Sequence, residues 1–143
     1  MTTPPPFRIR GYDHVAFPVT DMGRALAFYR DALGCPVTAE YPEDALIRLA
    51  VGASDLFLVD VTRAQGAWAR PPAGPGRNLD HVSVALGACD EVAVRAHLAA
   101  HGLAIIEERV GDNRHGATLS LYVRDPDGNQ VELLLPLPAT HDP

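Results

Sequence analysis

The phrase "YDHVAFPV", beginning at Tyr12, returns as "LDHVSVAL" at Leu79, and this repetition constrains the fold more than any other feature of the chain. His14 and His81 are 67 positions apart, and the glycines that close the helical segments after them, Gly34 and Gly102, are 68 apart. A tripeptide repeated by chance would not hold that register through a strand and a helix. Two copies of a mixed unit are too few for a solenoid, so the halves are expected to close one core by pairing about a pseudo-twofold axis.

In the first copy, Tyr12, His14 and Ala16 alternate with Asp13, Val15 and Phe17, which is the period of a strand. Asp21 stands where a helix cap belongs. Met22, Ala25, Leu26, Tyr29 and Leu33 then recur at helical spacing, and Gly34 supplies a left-handed stop. "PVTAEY", "ALIRLAV" and "DLFLVDV" read as strands, the last two turned by "GASD". The second copy repeats that order, with "LDHVSVAL" as a strand and a helix capped by Asp90 over "EVAVRAHLAAH". The strands "AIIEERV", "ATLSLYV" and "NQVELLL" follow, the last pair joined at Asp125-Pro126-Asp127-Gly128. Between the copies, "TRAQGAWARPPAGPGRN" is rich in Pro, Gly and Ala without a period, which marks a connector. The expected division is a flexible N-terminus (1–10), one domain (11–136) and a tail (137–143). Within the domain, module one spans 11–61, the connector 62–78 and module two 79–136.

Apolar and charged fractions of 47% and 21% over 143 residues supply one ordinary core. A net charge of −6 gives no attraction for a phosphate backbone, so nucleic acid is not an expected partner. No apolar run approaches the roughly 20 residues that cross a bilayer, and "MTTPPPFRIR" lacks the apolar centre of a secretory signal. No membrane partner and a cytoplasmic location are therefore expected. Cys35 and Cys89 have neither metal-clip spacing nor the density of a stapled scaffold, and read as small buried apolar residues.

Symmetric pairing of the modules places His14 and His81 facing one another across the space between the sheets. A single strand histidine is most often a hydrogen-bonded core or rim residue, but two at matched positions of a repeat point to a shared metal. Glu132, set between Val131 and a leucine run, is a carboxylate that must face water, find a cation or shift its pKa. Two histidines and a carboxylate with open positions suit Fe(II), and are also usable by Mn(II), Zn(II) or Ni(II).

"DHVAFPVTDMGRALAFYRDALG", with the aromatic pair Phe28-Tyr29 before Leu33-Gly34, and "LYVRDPDGNQVEL" resemble the opening strand and helix and the closing hairpin of the vicinal oxygen chelate superfamily. That superfamily holds glyoxalases, extradiol dioxygenases, fosfomycin-modifying transferases and bleomycin-binding proteins. The resemblance, from Tyr12 to Pro136, implies an α+β fold of two βαβββ modules. They form an incomplete eight-stranded mixed β-barrel with helices outside, cupping a divalent metal held by His14, His81 and Glu132. It also implies a homodimer acting on a small-molecule substrate.

Departures from the resemblance sort its members. The glyoxalase pattern takes a fourth ligand at a place that falls at about Leu58, which has no donor; Asp60 shares that face but lies about 6 to 7 Å along the strand. Fosfomycin-type transferases carry a hydroxyl where this chain has Ala16. The extradiol dioxygenases fit the three-ligand count, and their tyrosine ten residues before the carboxylate ligand matches Tyr122. Their histidine acid/base matches His115 only to within about two positions. The expected function is a metal-dependent enzyme acting on adjacent oxygens, foremost an extradiol-like ring-cleaving dioxygenase. Glyoxalase or lyase-like and transferase-like enzymes, and a metal-free bleomycin-resistance-type binder, are the alternatives. His97 and His101 read as a solvated helix end, Trp68 as a lid or an edge plug, and Asp13 and Asp80 as structural.

Overall fold

The computed structural model describes residues 12, 14–69, 79, 81–113 and 116–138. Alternating strands β1 (His14–Val19), β2 (Val37–Tyr41), β3 (Leu46–Val51) and β4 (Ser54–Asp60) form one mixed sheet in the order β1-β4-β3-β2. Strands β5 (His81–Ala85), β6 (Glu107–Asn113), β7 (Gly116–Arg124) and β8 (Gln130–Pro136) repeat it as β5-β8-β7-β6. In each sheet the histidine-bearing strand runs parallel to the last strand of its module, and the other pairings are antiparallel. The two sheets are not joined into a closed barrel.

Helix α1 (Met22–Leu26) starts where Asp21 accepts a hydrogen bond from the Arg24 amide at 3.0 Å, and α2 (Glu91–Ala100) where Asp90 accepts from the Ala93 amide at 3.2 Å. Both helices stop at left-handed glycines, Gly34 (φ 72) and Gly102 (φ 68). The first helix departs from the expected single α-helical stripe, because Ala27–Ala32 is a π-helical turn closed by the Leu33 amide on the Phe28 carbonyl. The wider turn brings Phe28 into the core beside Tyr29, with the rings edge to face at 4.8 Å.

Strand β6 begins at Glu107 rather than Ala104, since its register on β7 is set by the hairpin pair Asn113 and Gly116. The connector also holds more than its aperiodic composition indicates, a 3-10 helix over Ala64–Ala69. It docks on β4 through Gly66, where a Cβ would lie 2.0 Å from the Asp60 carbonyl oxygen, so only glycine fits. Trp68 on that helix is exposed. Of the cysteines, both expected to be buried, Cys35 is only half-buried and Cys89 is exposed in the loop just before the α2 cap.

The core is one connected cluster drawn from both modules. Its strand members are Phe17, Val19, Leu49, Leu56 and Leu58 in the first sheet, and Leu119, Leu121, Val123, Val131, Leu133 and Leu135 in the second. Ala25, Phe28, Tyr29 and Leu98 join them from the helical segments. Polar contacts fasten the modules at its rim. The Tyr29 hydroxyl donates to Asp125 Oδ2 at 2.8 Å, and the Thr20 amide donates to Asp127 Oδ1 at 3.0 Å. Asp125 Oδ1 also receives the Asp127 and Asn129 amides, so the β7–β8 turn is both a hairpin link and an inter-module latch. His97 is not simply solvated, for its Nε2 lies 2.7 Å from the Ala32 carbonyl oxygen at the end of the π turn.

Burial, then the Asp125 carboxylate, holds the Tyr29 phenol far above its ordinary pKa, so it stays a donor throughout the physiological range. Tyr29→Phe keeps the ring packing and leaves a buried carboxylate short of one partner, at an expected cost of about 1 to 3 kcal/mol. Urea denaturation of the two proteins measures that difference, and equal midpoints at equal slope would remove the latch from the stability of the fold.

Candidate functional site

Strand alternation sends every core side chain of the second sheet to one face and leaves a polar row on the other. Ser83, Glu132, Tyr122 and Glu107 are direct neighbours across β5, β8, β7 and β6, with Ser120 and Arg109 paired one step along. His81 lies on the same face, two residues before Ser83. Its Nε2 is 3.1 Å from Glu132 Oε2, while the Tyr122 hydroxyl donates to Glu132 Oε1 at 2.9 Å. The His81 and Tyr122 rings meet edge to face at 5.6 Å.

Glu132 is only 8% exposed, so its charge needs local support. Burial is the largest single influence and pushes its pKa up. Hydrogen bonds from the Ser120, Tyr122 and Ser83 hydroxyls and the nearby His81 together outweigh it, and the carboxyl is held below its usual range. Tyr122 shifts the other way: burial and its bond to Glu132 raise the phenol's pKa, so it remains protonated. The result is an ionised carboxylate with one oxygen fixed by Tyr122 and the other beside an imidazole nitrogen.

His14 occupies the matching face of the first sheet, exposed, with its ring tilted against Phe57 at a centroid distance of 4.5 Å. The strand members of the common core all lie on the faces opposite His14 and His81. Within one chain the two histidine faces therefore do not converge. No three His, Cys, Asp or Glu side chains among the described residues are grouped to hold a metal ion. His115, Asp13 and Asp80 lie outside the described residues.

The registers also place the position matching Glu132. Ala16 pairs with Phe57 and Phe57 with Arg48, just as Ser83 pairs with Glu132 and Glu132 with Tyr122. Phe57 is thus the counterpart of Glu132, one residue from the sequence estimate of Leu58. Leu58 is buried on the opposite face, and Asp60, on that face too, accepts from the Thr62 amide at 3.0 Å. Neither offers a fourth donor on the side of His14.

A family model described as the Glyoxalase/Bleomycin resistance protein/Dioxygenase superfamily matches residues 11–133. The chain belongs to this superfamily. Among its relatives, "Metapyrocatechase 2" of Cupriavidus necator is 33% identical over 129 residues; these are 90% of this chain but 34% of that protein, so the chain spans about a third of its length. The "Probable lactoylglutathione lyase" of Synechocystis sp. is 28% identical over 126 residues, 85% of this chain and 92% of that protein. A solved structure, a glyoxalase family protein from Enterococcus faecalis, superposes with a TM-score of 0.62 at 26% identity over 87% of this chain and 97% of that one. As a member of the superfamily, the chain keeps its two-module fold, and no helix among the described residues is long and apolar enough to cross a membrane.

Sequence reasoning reached His81, Glu132 and Tyr122 but passed over Ser83, Ser120 and Arg109. Pairing the strands in register, with Glu132 as origin, would have found the two serines. The support of Glu132 has a testable pH signature. Because its folded pKa is depressed, the stabilisation is complete above the unfolded carboxyl value of about 4.3 and is lost as pH falls through the lower folded value. Denaturation midpoints should therefore fall in acid more steeply for the wild type than for Glu132→Gln; parallel profiles below pH 5 would contradict that account.

Proposed function

We propose that the protein is a divalent-metal-dependent enzyme acting on a small substrate with adjacent oxygens, foremost by extradiol-like ring cleavage, and that its metal site is completed between two copies of the chain. The observation that carries this is the pairing of His81 Nε2 with Glu132 Oε2 at 3.1 Å on an outward face, while His14 stands exposed on the outward face of the other module. An imidazole nitrogen and an ionised carboxylate oxygen at that separation fit a divalent ion in donor chemistry. His14 from a second copy, its first module set against this polar row, supplies the third donor. When bound, the metal supplies Lewis acidity toward a chelating pair of substrate oxygens.

The chain's own residues take the other roles. Ser83 and Ser120 keep Glu132 ionised, and Tyr122, whose hydroxyl hydrogen is committed to Glu132 Oε1, fixes the carboxylate and leaves its lone pairs to accept from a substrate hydroxyl. His115 is the acid/base of this reading. Phe57 in the place of a fourth carboxylate favours the three-donor chemistry over the glyoxalase pattern. The near full-length match to a lactoylglutathione lyase supports the lyase-like alternative.

The two-copy site makes a complementation prediction. His14→Ala and Glu132→Gln should each lose stoichiometric metal by elemental analysis. Subunits mixed after reversible dissociation should regain about a quarter of the wild-type metal and activity, because each hybrid dimer rebuilds one of its two sites. Mixtures as empty as the single variants would place the three ligands in one chain, and a wild type that never binds metal would favour the metal-free binder. Oxygen uptake with catechol, set beside isomerisation of the methylglyoxal–glutathione adduct, separates ring cleavage from the lyase alternative.

A further inference from the structure

Arg109 belongs to the polar row, yet its hydrogen-bond partner is Glu107 rather than Glu132. It leaves β6 on the face shared with Ser120, Tyr122 and Glu132, and its Cζ lies 5.9 Å from the centre of the Tyr122 ring. The Nε donates to Glu107 Oε1 at 2.6 Å, two residues back along the same strand. That bond orients the guanidinium and leaves its Nη1 and Nη2 edge with no partner among the described residues. The side chain is 67% exposed, so the edge is open to a ligand. Module one has a different arrangement. Arg48, the counterpart of Tyr122, donates its Nε to Thr38 at 3.0 Å and approaches Asp55 at 3.9 Å within its own sheet.

An edge-strand arginine paired with a glutamate is commonly just a solvated ion pair. Arg109 differs in lying over the ring of the residue that binds Glu132, so its free edge is on the same face as the carboxylate and imidazole. A guanidinium edge with two parallel N–H groups matches a carboxylate in bidentate geometry. With a divalent ion held at Glu132 the cluster is net positive, and an anionic ligand balances it.

We propose that Arg109 is a specificity-determining residue that binds a carboxylate on the substrate, which is therefore a small acid carrying two adjacent oxygens at one end and a carboxylate at the other. This rests on the metal-chelating reading of the site. It is tested by calorimetric titration of the full-length, iron(II)-loaded protein under argon, where no turnover occurs, with catechol and with 3,4-dihydroxybenzoate. The wild type should bind the acid about tenfold or more tightly than catechol, as expected for a charge-assisted bidentate contact. Arg109→Met, which keeps the aliphatic stem, should erase that preference and leave catechol affinity unchanged, and Arg109→Lys should restore part of it. An equal preference in wild type and Arg109→Met, or none in the wild type, overturns the assignment of Arg109 while the chelating site stands. Failure of the loaded wild type to bind either compound overturns the chelating site, and the Arg109 proposal with it. Unchanged thermal melting of the variants confirms that a lost preference is not lost folding.

Discussion

The period-two alternation of eight strands governs everything else in this protein. In both sheets the side chains of the shared core fall on one face, and these two faces, with Phe28, Tyr29 and Leu98, make a single core. Burying a leucine or phenylalanine there is worth about 1.5 to 3 kcal/mol, so a core drawn from eleven strand side chains fixes which way each sheet faces. The opposite faces, bearing His14 and His81, are turned away from that core. A one-residue slip in any strand would exchange the two faces, and the apolar set would be lost with it.

On the outward face of the second sheet the decisive balance is around Glu132. Removing a carboxylate from water costs several kcal/mol, and hydrogen bonds to a charged group return about 1.5 to 3 kcal/mol each. Three hydroxyls and an imidazole are sufficient to tip that balance toward the ionised form, which is the direction of its shift. The first sheet solves the same position in the opposite way: Phe57 carries no charge and covers itself with the His14 ring. Two copies of one unit have thus diverged at one register position, one keeping an anion and the other an aromatic.

The elements were legible in the sequence because their causes are local. Asp21 and Asp90 cap, Gly34 and Gly102 stop, and the alternation through His14 and His81 reads directly as strand parity. What escaped depends on distant partners. The Tyr29–Asp125 latch joins residues 96 positions apart, and nothing in "DPDGN" beyond its turn chemistry announces it. The π turn reflects the packing of Phe28, which no helical period encodes. The equivalence of Phe57 and Glu132 is set by pairing across the sheet and lies one residue away from the count along the chain, and the serines around Glu132 are visible only in the cross-strand direction. The outward aim of both histidine faces follows from the helices and the core being shared, a fact of tertiary packing alone.

That outward aim bears on the proposed pairing of two copies. Within a chain the modules already use their apolar faces against each other, so bringing His14 to His81 intramolecularly would require breaking the shared core and the contacts at Asp125 and Asp127. A second copy reaches the same juxtaposition at no cost to either core, because it presents an intact module-one face to an intact module-two face. The arrangement is also reciprocal, since whatever the first module of one copy does to the second module of the other is repeated about the twofold axis. In the proposed pairing, the pseudo-symmetry expected between halves of one chain is realised between chains, and the duplicated histidine meets its counterpart across the twofold axis.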